Sequence, residues 1–192
     1  MKANKTGNDK LFKAGRKLFW KYGFRRVSVD EICREAGVSK MTFYRAFEDK
    51  QDLAKTIFRK VAEEGVKQFI EILDSDTPPS EKLKLILQMK AEGTNDISNE
   101  FITDFYRSTD TGLPEFVRTV TKESWNNVIS GFRRAQESGW MRKDFKPEFL
   151  FHISQQLVGM VSDKELLMLY RNQQELIMEF ANFITYGIAP HE

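Results

Sequence analysis

The sequence is poor in residues that staple, ligate or punctuate a chain. Among 192 residues there are one cysteine, Cys33, two histidines, His152 and His191, and five prolines. A single thiol excludes an intrachain disulfide framework and suits a reducing compartment. His152 has no Cys or His partner at ligand spacing, so no metal site is expected. There is no Gly-rich phosphate loop, no HExxH, no GxSxG and no Cys–His nucleophile pattern, which argues against the common enzyme classes and against a bound cofactor. No run approaches the ~18–20 apolar residues of a membrane span. The polar start MKANKTGNDK lacks a signal-peptide stretch, so a cytoplasmic protein with no membrane partner is expected.

The formal net charge of +2 conceals an asymmetry. Residues 1–60 carry sixteen Lys or Arg against seven Asp or Glu, and the remainder reverses the balance, +9 against −7. A basic head on an acidic body implies that the head alone meets a polyanion.

Apolar residues recur at three- and four-residue spacing almost throughout, and no segment alternates with period two. The fold class expected is therefore all-α, with about nine helices. Pro78, Pro79, Pro114, Pro147 and Pro190 sit at helix boundaries. Residues 1–8 read as a mobile arm. Helices are expected over about 9–22, 28–37, 39–47, 48–73, 80–92, 97–109, 113–138, 147–168 and 172–188.

Residues 28–47, SVDEICREAGVSKMTFYRAF, carry the most information. Ser28 and Glu31 have capping-box spacing. Gly37 can adopt the left-handed conformation that ends a helix, and Ser39 is a good N-cap for the next. Two short helices joined by a glycine turn form a helix-turn-helix. Ile32, Cys33 and Ala36 share the inner face of one, and Phe43, Ala46 and Phe47 that of the other. The outer face of the second helix then holds Lys40, Met41, Tyr44 and Arg45, with Ser39 and Thr42 near its start. Such a helix fits the DNA major groove, its first residues against base edges. Arg25 and Arg26, just upstream, are phosphate ligands on charge alone.

Over Ala14–Leu53 the sequence resembles the DNA-binding domain of TetR-family (tetracycline repressor) regulators. Leu18, Phe19 and Gly23 match that family's first helix and its exit, and Ser28 its hydroxyl-started second helix. Ile32-Cys33 stands for Ile-Ala, Ala36–Ser39 for Ala-Gly-Val-Ser, and Phe43-Tyr44, Ala46-Phe47, Lys50 and Leu53 for its closing residues. Val27 replaces a usual Thr, and Met41 a usual small residue. The resemblance implies a three-helix head over residues 1–49 and a helical ligand-binding and dimerisation domain over 50–192. It implies phosphate contacts from Tyr44, Lys50, Ser28 and the amides at its helix start. Lys40, Met41, Thr42 and Arg45 are the candidates for facing bases.

By the same resemblance the body holds an effector pocket, sought among Met89, Phe105, Trp125 and Phe132. A homodimer seam is sought along Phe149, Ile153, Leu157, Leu176, Phe180, Phe183 and Ile184. The implied protein is a ligand-responsive repressor released from a palindromic double-stranded DNA operator by a small-molecule effector that the sequence does not identify. Two other classes remain compatible with the residues alone: a ligand-independent, nucleoid-type DNA-binding protein, and an enzyme whose site forms within the helical body.

Overall fold

The computed structural model describes residues 2–189, with side chains from residue 6 onward. Among the described residues it contains ten α-helices, one π-helical turn and no strand. They are α1 (Lys2–Tyr22), α2 (Val29–Ala36), α3 (Lys40–Ala46), α4 (Lys50–Asp74), α5 (Pro79–Gly93), α6 (Asn99–Ile102), the π turn (Thr103–Arg107), α7 (Leu113–Glu137), α8 (Pro147–Met160), α9 (Lys164–Leu167) and α10 (Gln173–Gly187). His191 lies outside the described residues.

Packing groups these elements into two compact units. The first takes the chain up to Val61 together with Asp96–Thr119, and the second takes Ala62–Asn95 with the chain from Val120 on. The helix-turn-helix thus shares its unit with α6, the π turn and the start of α7.

The first unit is built on aromatic burial. Phe19, Phe43 and Phe105 are fully buried, and Trp20 and Phe101 nearly so. The Phe105 ring lies 4.5 Å from that of Phe101, 6.0 Å from Phe58 on α4 and 6.3 Å from Phe19 on α1. Burying one such side chain contributes about 1.5–3 kcal/mol, so this cluster is a leading source of cohesion. Polar links flank it. The Ser98 amide donates to the Trp20 carbonyl at 3.0 Å, closing the end of α1. Gln51 Nε2 donates to the Thr111 carbonyl at 2.7 Å.

The second unit packs Leu73, Leu83, Ile86, Phe132, Trp140, Met141, Leu150 and Ile188 into one core. Lys82 is buried beneath it, donating from Nζ to the Leu73 carbonyl at 2.7 Å. Its ammonium lies 4.8 Å from the centre of the Trp140 indole. The last carbonyls of a helix have no partner within it and carry partial negative charge, so this buried cation closes α4.

The helices depart from the sequence expectation in three places. α1 begins at Lys2, not Asp9. Residues 2–8 hold no proline, and Gly7 passes against Thr42, which a Cβ at Gly7 would meet at 3.3 Å. The expected helix 97–109 narrows to α6 and the π turn, whose Asp104 and Phe105 are both buried. The expected helix 147–168 breaks because Asp163 turns its carboxylate onto the Leu166 amide at 2.9 Å and N-caps α9. Asp163 is therefore an exposed N-cap. Asp and Ser side chains compete with the helix for such amides.

Two glycines separate backbone need from packing need. Both have positive φ, Gly23 at 77° and Gly37 at 63°. A Cβ on Gly37 meets nothing within 4 Å, whereas one on Gly23 would stand 2.7 Å from Asp104 Oδ2 and 3.1 Å from the Glu100 backbone. Gly37→Ala is expected to cost about 1–2 kcal/mol, the left-handed strain alone. Gly23→Ala is expected to cost clearly more, and paired urea denaturation curves check the order.

Candidate nucleic-acid interface

The geometry begins at the N-terminus of α2. The Ser28 hydroxyl accepts from the Glu31 amide at 3.2 Å and donates to Glu31 Oε2 at 2.7 Å, while the Ser28 amide donates to the same carboxylate oxygen at 2.8 Å. The capping box read from the sequence is therefore formed. The Ser28 amide and hydroxyl hold the Glu31 carboxyl below the ordinary carboxylate value. α2 ends on Gly37, whose amide bonds the Arg34 carbonyl at 3.2 Å, with Val38 reaching back to Cys33 at 3.0 Å. Cys33 is buried at this helix crossing, and burial pushes its thiol pKa up. It is a small core residue.

Ser39 caps α3 by accepting from the Thr42 amide at 3.2 Å. Phe43 is then wholly buried and Phe47 nearly so, which fixes the rotation of α3. The opposite face carries Lys40, Met41, Tyr44 and Arg45, all exposed. Met41 is 77% exposed and Tyr44 57%. Lys40 lies 2.7 Å from Asp30 on α2, and that hydrogen bond raises its ammonium pKa above the ordinary value. Thr42 is half-buried beside Gly7.

The residues ahead of α2 are placed differently. Arg26 is exposed, its guanidinium 4.9 Å from the Tyr22 ring. Arg25 is turned back onto its own unit. Its amide donates to Asp104 Oδ2 at 2.9 Å, its Nε lies 3.4 Å from Asp104 Oδ1, and its Nη2 meets Asp110 at 2.5 Å and also the Ser108 hydroxyl. The Ser108 hydroxyl, and then Arg25, lower the Asp110 pKa. Lys50, at the first residue of α4, donates to the Phe24 and Val27 carbonyls, both at 2.7 Å.

The structure thus brings Lys40, Met41, Tyr44 and Arg45 together on one open face, with Arg26 exposed ahead of α2. It gives Arg25, Ser28, Ser39 and Lys50 partners inside the chain. Sequence reasoning missed Asp104. A carboxylate set among aromatics in FITDFY is the signal that could have found it, since buried acids need partners.

The other expected sites are distributed as follows. Phe105 belongs to the aromatic core of the first unit, and Phe132 to the core of the second, with Trp125 packed against that core and Met89 half-buried. Neither unit gathers the four. Along α8 and α10, Phe149 and Phe183 are 60% and 77% exposed, and Ile153, Leu157, Phe180 and Ile184 are half-buried. Leu176 is 3% exposed and faces inward. Among the described residues no helix is long and apolar enough to cross a membrane.

Known proteins agree with this geometry. The family model described as bacterial regulatory proteins, tetR family, matches residues 11–57, the span from the middle of α1 into α4. The HTH-type transcriptional regulator SAB2452 of Staphylococcus aureus (strain bovine RF122 / ET3-1) is 32% identical over 71 residues, a match spanning 37% of this chain and 38% of that regulator's length. A TetR-family transcriptional regulator from Agrobacterium tumefaciens superposes with a TM-score of 0.70 at 13% identity, over 97% of this chain and all of that one. Reduced NemR of E. coli gives 0.68 at 17% identity, over 97% and 99% of the two chains. The fatty acid degradation regulator FadR of Bacillus halodurans gives 0.66 at 18%, over 94% and 95%. At these identities the solved structures show a shared fold.

The capping box allows a direct test. Ser28→Ala is expected to cost about 1 kcal/mol, the usual worth of a helix N-cap. Because the folded Glu31 pKa is depressed, its part of the box stabilises above the unfolded glutamate value and is lost as pH falls through the lowered one. The Ser28→Ala penalty in urea unfolding should therefore be smaller at pH 3 than at pH 7, and an equal penalty at both would show Glu31 uninvolved.

Residues 11–57, which hold the helix-turn-helix, thus match the tetR family of bacterial regulatory proteins, and the chain shares the fold of the solved structures named above.

Proposed function

We propose that this chain is a DNA-binding transcriptional regulator, a repressor that a small molecule releases from its operator. One observation carries the DNA-binding reading. α3 is capped, rotationally fixed by Phe43, and leaves Met41 and Tyr44 more than half exposed between Lys40 and Arg45. Exposed apolar surface set between cations matches a major groove, where thymine methyls sit among base acceptors and phosphates. Arg45, Lys40 and Met41 then face bases, while Tyr44 and Arg26 reach phosphates. Thr42 reaches the groove edge from its half-buried position.

Two copies acting together fit this reading. The exposed Phe149 and Phe183, with the half-buried Ile153, Leu157, Phe180 and Ile184, form apolar stripes on α8 and α10 suited to a two-fold four-helix seam. Leu176, inside its own core, is no part of it. The effector is sought in the second unit, near Met89 and Trp125. α4 begins in the first unit and ends in the second, so one continuous helix about 37 Å long joins effector side to DNA side. An effector that favours the DNA-incompetent state by ~1–3 kcal/mol weakens DNA binding about 5- to 150-fold, and DNA weakens effector binding by the same factor.

Selection from a random duplex library, followed by footprinting, tests the proposal. The expected result is a near-palindrome with half-sites roughly 34 Å apart, one helical turn. A selected site without dyad symmetry would favour a ligand-independent, nucleoid-type protein. On the selected duplex, Arg45→Ala should change base preference at a cost of ~1–3 kcal/mol. Arg26→Ala should weaken all duplexes alike and flatten the salt dependence by about 0.9 for each phosphate it leaves unneutralised.

A further inference from the structure

We propose that Lys50 is a positioning residue of the DNA-binding head and makes no phosphate contact, an inference that rests on the DNA-binding reading above. The resemblance to known regulators assigns this lysine to a phosphate. The structure commits it elsewhere. Its Nζ donates to the Phe24 and Val27 carbonyls, each at 2.7 Å, and makes a longer contact to the Arg25 carbonyl at 3.4 Å. The Phe24 ring lies 4.3 Å from the same nitrogen. An ammonium has three hydrogens to give, and here each has an acceptor within the chain.

The surroundings agree. Lys50 opens α4, where the helix end carries partial positive charge and a lysine is poorly placed unless something else holds it. Burial lowers its pKa against the opposing pull of Asp104 and Glu31. The carbonyls it collects belong to the turn that joins α1 to α2. Phe24 and Val27 bury their side chains, so the turn has apolar feet on the core and carbonyls gathered on one cation. Between them Arg26 is left exposed at the crest, and Ser28 follows directly as the cap of α2. Lys50 thus sets where Arg26 and the α2 amides stand, and contributes to DNA binding through them.

The test uses the full-length protein and a mixed-sequence 30-base-pair duplex, approached in two ways. First, in the wild type, acetylation by acetic anhydride is followed residue by residue by mass spectrometry, with the exposed Lys67 as reference. The expected result is slow labelling of Lys50 without DNA and no change when duplex is added. Fast labelling in the free protein, or protection that appears only with DNA, overturns the proposal. Second, Lys50→Met and Lys50→Arg are compared by duplex affinity across a KCl series and by amide hydrogen exchange, at a temperature where circular dichroism shows both fully folded.

Both variants are expected to lose amide protection over residues 24–32 and to bind roughly tenfold more weakly, the scale of one missing charge-assisted hydrogen bond. Their salt slopes should match the wild type. A slope lower by about 0.9 per protomer in Lys50→Met, restored in Lys50→Arg, is the signature of a phosphate ligand and would refute the assignment. If the wild type binds no duplex at any salt, the DNA-binding reading fails, and labelling and exchange on the free protein still decide the role of Lys50.

Discussion

The turn from Gly23 to Ser28 joins the first helix to the helix-turn-helix, and its backbone polar groups are paired by side chains from three other places. Asp104 of the π turn accepts the Arg25 amide, Lys50 of α4 donates to the Phe24 and Val27 carbonyls, and Glu31 of α2 accepts the Ser28 amide. A partly buried turn cannot leave such groups unpaired without a cost comparable to a lost hydrogen bond for each. The direction in which α2 leaves the first helix follows from these pairings. The rotation of α3 then follows from the glycine turn and from Phe43 beneath it.

This constraint alters how the basic head should be read. A surplus of nine positive charges in sixty residues suggests a broad phosphate-binding surface, yet several of the individual cations there have partners within the chain. Lys17 pairs with Glu35, Lys40 with Asp30, and Arg25 with Asp104 and Asp110. The exposed pairs are weak and exchange easily with phosphate. The Arg25 pairing differs because the Asp104 side chain is only 8% exposed and also accepts a backbone amide. On the proposed DNA-binding reading, excess charge in the head supplies a long-range attraction, and the close contacts fall to a few residues on α3 and to Arg26.

The second unit follows a different plan. Its core is aliphatic and aromatic, closed by one buried lysine on the end of α4, and it leaves Phe149, Met168, Leu169 and Phe183 largely exposed. Exposed apolar side chains grouped along helices mark surfaces meant for a partner more often than surfaces meant for water. The inward turn of Leu176 shows how narrow the margin is. It and Phe180 lie four residues apart on α10, yet one is in the core and the other half-exposed. The stripe that sequence periodicity marks on α10 is wide enough to serve two faces, and packing divides it.

The sequence by itself determined whatever depends on neighbours within about four positions. The capping box of Ser28 and Glu31, the left-handed Gly37, the Ser39 cap, the buried Phe43 and the exposed Met41 and Tyr44 were all legible from spacing and residue type. So was the helical character of the whole chain. Tertiary structure alone decided what depends on residues far apart in the chain. Arg25 and Asp104 are separated by 79 positions and Lys50 and Phe24 by 26, and no local pattern marks either pair. The same holds for Phe105, which the family resemblance offered to a pocket and which the rings of Phe19, Phe58 and Phe101 claimed for the core. A helix pattern states which side of a residue is apolar; which apolar surface comes to cover it is fixed when distant segments compete to exclude water and pair their buried polar groups.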